Sequence, residues 1–211
     1  MPSFSKAFEK CPLVAILRGI EPEEVIEIGV ILTKAGFTLI EIPLNSPEPL
    51  ISIQKLSETF GDKVVIGAGT VLNIDEVGDV AKAGGKMIVS PNTNIDIIIK
   101  TKSLNLISIP GFATATEAFT AVNAGADALK LFPAEGSSPS VLKAMSAVLP
   151  QNIPVLPVGG IEPGNIAEYV SSGARGFGIG SFLYKRGKDL DDLSRDAALI
   201  ISEWNASHSI S

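Results

Sequence analysis

The stretch NLISIPGFATATEAFTAVNAGADALKLFP (Asn105–Pro133) contains a complete copy of the pattern that decides the fold. Its two ends, NLISIPG and DALKLFP, are short apolar runs of the kind that form buried strands. The middle segment, TATEAFTAVNAGA, ends in small residues and glycine, as helices commonly do before a turn. A strand, a helix and a second strand in this order predict a βαβ unit with parallel strands.

The same alternation extends in both directions along the chain. The first helix is predicted over Glu21–Ala35, because it opens on the acidic, proline-marked EPEE and closes at Gly36. Eight strands are predicted in total: Pro12–Arg18, Thr38–Leu44, Lys63–Thr70, Lys86–Asn92, Asn105–Gly111, Asp127–Pro133, Ile153–Gly160 and Arg175–Ser181.

Eight units with little chain left over favour a closed barrel over an open sheet, which usually has fewer strands at this length. We therefore expect an α/β fold of the (β/α)8 TIM barrel type. It should form a single domain over residues 1–211, with a short helical segment before the first strand.

Composition narrows the range of functions. Hydrophobic residues make up 45% of the chain, but none of the apolar runs reaches the roughly 18 residues of a membrane span. The start, MPSFSKAFEKCP, lacks a secretory pattern because charges interrupt it. We expect a soluble, cytoplasmic protein with no membrane partner. The net charge of −6 also argues against nucleic-acid binding, which needs a basic face.

Cysteine and histidine chemistry is also disfavoured. The single cysteine, Cys11, precedes an apolar run and is expected to be a small core residue. The single histidine, His208, lies in the polar segment NASHSIS near the end of the sequence. Zinc sites draw on clusters of these residues, so we expect no metal. Acid–base catalysis would have to use Glu, Asp, Lys, Tyr or water.

Two charged residues are predicted to point into the barrel. Neighbouring side chains of a strand face opposite ways, so Glu41 lies opposite the isoleucine face of TLIEIPL. By the same rule Lys130 lies opposite the leucines of DALKLFP, on the face that it shares with Phe132. The two could form a structural ion pair. Alternatively, Lys130 is an amine of lowered pKa that attacks a carbonyl, while Glu41 moves protons.

Further candidates follow the strands, at the end where barrel enzymes keep their sites. Arg18 ends the first strand and could bind a carboxylate or phosphate, although a salt bridge at the rim is an equal alternative. Thr70 ends the third strand. Gly159, Gly160 and Ser181 follow the last two strands, where barrels often bind phosphate, but the glycines could simply form a turn.

The motifs LRGI, EIPLNSP, GAGTVL, PGFATATEAF, ALKLFPAE, PVGGI and GSFLY resemble those of the 2-keto-3-deoxy-6-phosphogluconate and 6-phosphogalactonate aldolases. The resemblance runs from about Pro12 to Lys188. It implies a class I aldolase on a (β/α)8 barrel, typically a homotrimer. Such an enzyme cleaves a small phosphorylated 2-keto acid to pyruvate and D-glyceraldehyde 3-phosphate, with a covalent lysine imine and no metal or other cofactor.

The resemblance also implies roles for individual residues. Lys130 of K-x-F-P matches the Schiff-base lysine, and Glu41 matches the proton shuttle. Arg18 and Thr70 match residues that bind the keto acid. The phosphate-binding positions match Gly159, Gly160 and Ser181, and the remaining substrate-binding positions are Pro91, Phe132 and Val158.

The two branches of the family act on C4 epimers, and the sequence has features of both. Asn45, Ser46 and Val158 resemble the galactonate branch, whereas Ala134 and Glu135 resemble the gluconate branch. Two other functions remain open from the residues alone. One is a phosphosugar isomerase or epimerase with Glu41 as its base, and the other is a non-catalytic phosphosugar-binding barrel.

Overall fold

Parallel strands alternate with helices through residues 4–61 and 63–208, the part of the chain that the computed structural model describes. The strands are β1 (Leu13–Ile16), β2 (Leu39–Pro43), β3 (Val65–Gly69), β4 (Met87–Val89), β5 (Ile107–Ile109), β6 (Gly111–Phe112), β7 (Leu129–Leu131), β8 (Val155–Pro157) and β9 (Phe177–Ile179). The α-helices are α1 (Phe4–Lys10), α2 (Val25–Ala35), α3 (Pro49–Phe60), α4 (Ile74–Lys82), α5 (Ile95–Ser103), α6 (Ala115–Asn123), α7 (Pro139–Ser146), α8 (Ile166–Ser171) and α9 (Leu190–His208).

The prediction of a single closed (β/α)8 barrel is wrong. The described strands form a six-stranded parallel sheet in the order β5-β4-β3-β2-β1-β9 and a separate three-stranded sheet in the order β6-β7-β8. Between the two sheets, an isolated parallel bridge pairs Val158, directly after β8, with Gly178 of β9.

Pro110 explains why the predicted fifth strand, Asn105–Gly111, does not continue through one sheet. Proline has no N–H group, so it cannot donate to a strand ladder. The strand is divided around it into β5 and β6, which pair in different sheets. The carbonyl of Pro110 instead accepts a hydrogen bond of 2.9 Å from the N–H of Lys130.

The strands separate two hydrophobic clusters. The outer cluster lies between the strands and the helices and includes Ile40, Ile42, Leu129 and Leu131. The inner cluster lies among the strands, and its members include Val14, Leu39, Val65, Met87, Val89, Ile109, Ala128 and Leu156. Strands buried on both faces are typical of parallel sheets covered by helices. Any charged side chain on the inner face is therefore surrounded by apolar groups.

Helix α1 packs against the inner cluster. Ala7 is buried in that cluster, and Phe4 and Phe8 pack on it. The hydroxyl of Thr38, at the start of β2, donates to the carbonyls of Ala7 (2.7 Å) and Cys11 (3.0 Å). Because Thr38 precedes β2, the helix lies at the amino-terminal end of the strands, opposite the end expected to carry the site.

The first long helix begins later than predicted. Helix α2 starts at Val25 rather than at Glu21, and it ends at Gly36, whose φ of 115° lies in the left-handed region expected of a C-terminal glycine. The residue before the helix, Glu24, makes no side-chain cap. Its carboxylate instead accepts from the N–H of Glu21 and the hydroxyl of Tyr184. The hydrogen bond from Tyr184 thus holds the Glu24 side chain directly before the first residue of the helix.

None of the helices in the described ranges is both long and apolar enough to cross a membrane.

Candidate active site

Glu41 and Lys130 face the interior between the two sheets, as strand alternation predicts. Glu41 lies in the middle of β2 and is 1% exposed, whereas Lys130 lies in the middle of β7 and is 5% exposed. Together with Val14, Val158 and other apolar residues, both line a small cavity of about 10 Å³. A cavity of this size is close to the lower limit for one water molecule.

The surroundings of Glu41 disfavour the charged form of its carboxyl group. Burial raises the pKa of Glu41, and the nearby positive charges of Lys130 and Arg18 offset part of this effect. Its Oε2 atom is buried and has no hydrogen-bond partner. The carboxylate lies against Gly69 of β3, where a Cβ atom would approach Oε2 to 2.5 Å. A buried carboxyl group with a raised pKa is a candidate for proton transfer.

Lys130 is the second buried charged residue, and its pKa is also shifted by burial. Burial lowers the pKa of Lys130, an effect that Glu41 opposes and Arg18 reinforces. The Nζ atom lies 4.7 Å from the centre of the Phe132 ring. A lysine of lowered pKa has a larger fraction of free amine near neutral pH, which is the form that attacks a carbonyl.

The structural alternative, a direct Glu41–Lys130 ion pair, is not formed. Among the described side chains, ion pairs within 4.0 Å involve other residues. The two groups affect each other's pKa without direct contact. The space that both groups line, about 10 Å³, is close to the minimum for one water molecule.

Arg18 and Thr70 meet at the carboxyl end of the strands. The exposed Arg18 guanidinium donates to Asn45 Oδ1 at 2.6 Å and to Thr70 Oγ1 at 3.5 Å. Its partners are thus an amide and a hydroxyl, and the rim salt bridge considered for it is absent from the described ion pairs. Thr70 has a φ of 57°. Positive φ values are uncommon for residues other than glycine, and such residues occur most often at functional sites.

The predicted phosphate-binding residues lie around another cavity. Gly160 and Ser181 line a space of about 450 Å³ after β8 and β9. Gly159 and Gly160 have φ values of 105° and 66°, so the turn requires residues without side chains. A Cβ atom at Gly160 would also meet the side chain of Glu135, with its Cγ at 2.5 Å. The turn therefore has a structural reason for glycine as well as the functional one.

Three further residues, Val158, Phe132 and Pro91, were predicted to bind substrate. Val158, 7% exposed, lines the small cavity with Glu41 and Lys130. Phe132 follows β7 and is partly buried. Pro91 follows β4, is also partly buried, and its carbonyl packs against Gly111. The structure brings Arg18 and Thr70 together and places Glu41 with Lys130, but it assigns Gly160 and Ser181 to a separate cavity.

Several residues that line this second cavity are not among the predicted site residues. Lys185, Arg186 and Lys188 line it, close to Ser181. The signal was present as a group of cations in GSFLYKRGK, directly after the predicted eighth strand. The hydrogen bond between Arg18 and Asn45 is not predictable from the sequence, because it depends on how two loops meet.

Among residues 4–61 and 63–208, no group of three or more His, Cys, Asp or Glu side chains is arranged to hold a metal ion.

Fold and site together define an α/β protein with an amine and a carboxyl group buried in one interior, the groups that imine-forming lyases use. A family model described as "Aldolase: KDPG and KHG aldolase" matches residues 5–196. The chain belongs to this aldolase family, and the resemblance found in its motifs is confirmed. Family members are lyases, which disfavours the isomerase and the non-catalytic interpretations.

Individual relatives agree with this assignment. The chain is 44% identical over 196 residues to a 2-dehydro-3-deoxy-6-phosphogalactonate aldolase of Escherichia coli strain K12, covering 92% of this chain and 95% of the relative. A 2-dehydro-3-deoxy-phosphogluconate aldolase of Pseudoalteromonas atlantica is 29% identical over 170 residues, covering 80% and 78%. The solved structure named "Native KDPGal structure" has a TM-score of 0.93 and 42% identity, covering 95% of this chain and 97% of the other.

Proposed function

We propose that this protein is a class I aldolase that cleaves 2-dehydro-3-deoxy-6-phosphogalactonate to pyruvate and D-glyceraldehyde 3-phosphate. The observation that carries the proposal is the buried Lys130, of lowered pKa, beside a buried Glu41 with an unpartnered oxygen. An amine held in its reactive form next to an acid–base group is what imine catalysis requires.

In the proposed reaction, the Nζ atom of Lys130 attacks the C2 ketone of the substrate, and loss of water gives a protonated imine. The imine withdraws electrons from the C3–C4 bond as that bond breaks. Glu41 accepts the proton of the C4 hydroxyl, directly or through one water, and the C4 fragment leaves as the aldehyde. The remaining enamine takes a proton at C3, and hydrolysis of the imine then releases pyruvate and the free lysine.

The other residues have binding roles in this proposal. Arg18 would pair with the carboxylate of the keto acid, with Thr70 beside it. Backbone amides of Gly159 and Gly160 and the hydroxyl of Ser181 would bind the phosphate. Pro91, Phe132 and Val158 would form the apolar wall along the carbon chain. We propose no metal and no other cofactor, because the lysine itself supplies the electron sink.

The choice of the galactonate epimer has two supports. The side-chain oxygen of Asn45 accepts a hydrogen bond from Arg18, and Val158 lines the cavity of Glu41 and Lys130. Both residues match the galactonate branch. The identities of 44% and 42% to two relatives named for the galactonate substrate also exceed the identities of 36%, 33% and 29% to three relatives named for the gluconate substrate.

Steady-state kinetics test this proposal. Purified protein should release pyruvate from both epimers, with the larger kcat/KM for the galactonate substrate, and Lys130→Ala should release none. A larger kcat/KM for the gluconate substrate would reverse the substrate assignment while leaving the lyase chemistry in place.

We further propose that the protein acts as a cytoplasmic homotrimer and forms a single domain. Large apolar side chains on the surface support self-association, among them Leu72 (53% exposed), Ile74 (47%) and Ile99 (54%). Sedimentation equilibrium at micromolar concentration should give three times the mass of the chain. A monomeric mass would reject the trimer.

A further inference from the structure

Three cations line the cavity that contains Gly160 and Ser181. They are Lys185, Arg186 and Lys188, all in the segment after β9. This is a local concentration of positive charge on a protein whose net charge is −6. An anion entering the cavity would meet these side chains, but they differ in whether they are free to bind it.

Two of the cations already have protein partners. Arg186 forms an ion pair with Glu21, at the start of the segment before α2. Lys188 pairs with Asp196 of α9 at 2.7 Å and donates to the carbonyls of Phe182 (2.6 Å) and Leu183 (2.8 Å). With side chains only 15% and 16% exposed, the Lys188–Asp196 pair is part of the framework of the loop.

Lys185 differs from both. In the described part of the chain, its side chain is exposed and has neither an ion-pair partner nor a hydrogen bond. The acidic Glu162 also lines the cavity, and Lys185 is the cation there whose charge none of the described ion pairs neutralises.

The segment that carries Lys185 is held in place on both sides. Tyr184, 3% exposed, donates its hydroxyl to the carboxylate of Glu24, and Arg186 holds Glu21. These contacts join the loop after β9 to the loop that contains Arg18. A cation on a fixed segment loses less conformational entropy on binding than one on a mobile loop.

We infer that Lys185 is a further substrate-binding residue that pairs with the phosphate of the substrate and so contributes to the preference for phosphorylated over unphosphorylated substrates. The ligand class is a phosphate monoester dianion, for which lysine is a suitable point-charge partner. The inference rests on the proposed function, because it assigns the cavity to the phosphate end of the same substrate.

The experiment uses the condensation direction, with pyruvate and either D-glyceraldehyde 3-phosphate or unphosphorylated glyceraldehyde. Lys185→Gln should raise the KM for the phosphorylated aldehyde about tenfold, the loss expected for one charge-assisted contact, and leave kcat within about twofold. The KM for unphosphorylated glyceraldehyde should not change. Lys185→Arg keeps the charge and should restore most of the affinity.

Lys34→Gln is the matched control, because Lys34 is exposed in the last turn of α2 and its loss changes the net charge equally. An equal effect of Lys185→Gln and Lys34→Gln, or a KM increase for both aldehydes, would overturn the inference. Borohydride trapping of pyruvate on the native protein reports the proposed function separately. Trapping on Lys130 without the selective KM change rejects Lys185 alone, whereas absence of trapping rejects the proposed function.

Discussion

Gly69 leaves the space that the Glu41 carboxylate occupies: a Cβ atom at position 69 would lie 2.5 Å from Oε2 and 2.8 Å from Oε1. Glu41 is 1% exposed, so its carboxylate is packed among neighbouring side chains. The orientation of the proposed proton shuttle therefore depends on a glycine of the adjacent strand.

Gly69→Ala should lower kcat at least tenfold and cost about 1–3 kcal/mol of unfolding free energy, since overpacking forces Glu41 out of its position. Gly78→Ala is the control, because a Cβ atom there meets nothing within 4 Å in the interior of α4. That change should leave kcat unaltered and stabilise the protein by up to about 1 kcal/mol. Steady-state kinetics and urea denaturation of both variants measure these effects, and an equal kcat in the two would show that Gly69 does not position Glu41.

Glu41→Gln should separate imine formation from turnover. The amide keeps the shape of the side chain but cannot accept the C4 hydroxyl proton, so kcat should fall about 10²–10⁴-fold. Borohydride should still trap pyruvate on Lys130 of this variant. Mass spectrometry and pyruvate release on the same preparation check both parts, and a variant with full turnover would exclude Glu41 as the shuttle.

Lys130 should react as an amine at a pH below its ordinary pKa of 10.5, because burial lowers that pKa, Glu41 opposes the effect and Arg18 reinforces it. The rate of Lys130 modification by a small neutral acylating reagent should rise with pH through the lowered pKa, as the ammonium form loses its proton. In Arg18→Gln the whole profile should move to higher pH. Peptide mass spectrometry measures the rate, with exposed Lys34 as an internal reference. A profile for Lys130 centred at or above its ordinary pKa of 10.5 would mean that this pKa is not lowered.

Val158→Thr should shift the preference between the two epimers. Val158 lines the cavity of Glu41 and Lys130, so a hydroxyl at this position can meet the C4 hydroxyl of the substrate. The ratio of kcat/KM for the gluconate substrate to that for the galactonate substrate should rise about tenfold. Val65→Thr adds a hydroxyl to the inner cluster without lining this cavity and should leave the ratio unchanged. Equal ratios in the two variants would show that position 158 does not select the epimer.

Much of the site was predictable because strand alternation is a local property. The period of two along TLIEIPL and DALKLFP was enough to turn Glu41 and Lys130 toward one interior, and the order of strands and helices was enough to predict parallel pairing. The absence of histidine near any strand narrowed the chemistry further.

One error passed over a local signal, the proline inside NLISIPG, and the others came from contacts between residues distant in sequence. A count of strand-like segments predicted one closed barrel, but the division around Pro110 places β5 and β6 in different sheets. The contact between Tyr184 and Glu24, directly before α2, joins residues 160 positions apart. The Arg18–Asn45 hydrogen bond likewise depends on how two loops meet.

The most direct test of the account is reductive trapping of pyruvate. Native protein incubated with pyruvate and borohydride should gain the mass of one reduced pyruvyl group per chain, and peptide mapping should place it on Lys130. Lys130→Ala should gain nothing under the same conditions. If the native protein gains no mass, or if Lys130→Ala gains as much as the native protein, the proposal that Lys130 forms the Schiff base is contradicted.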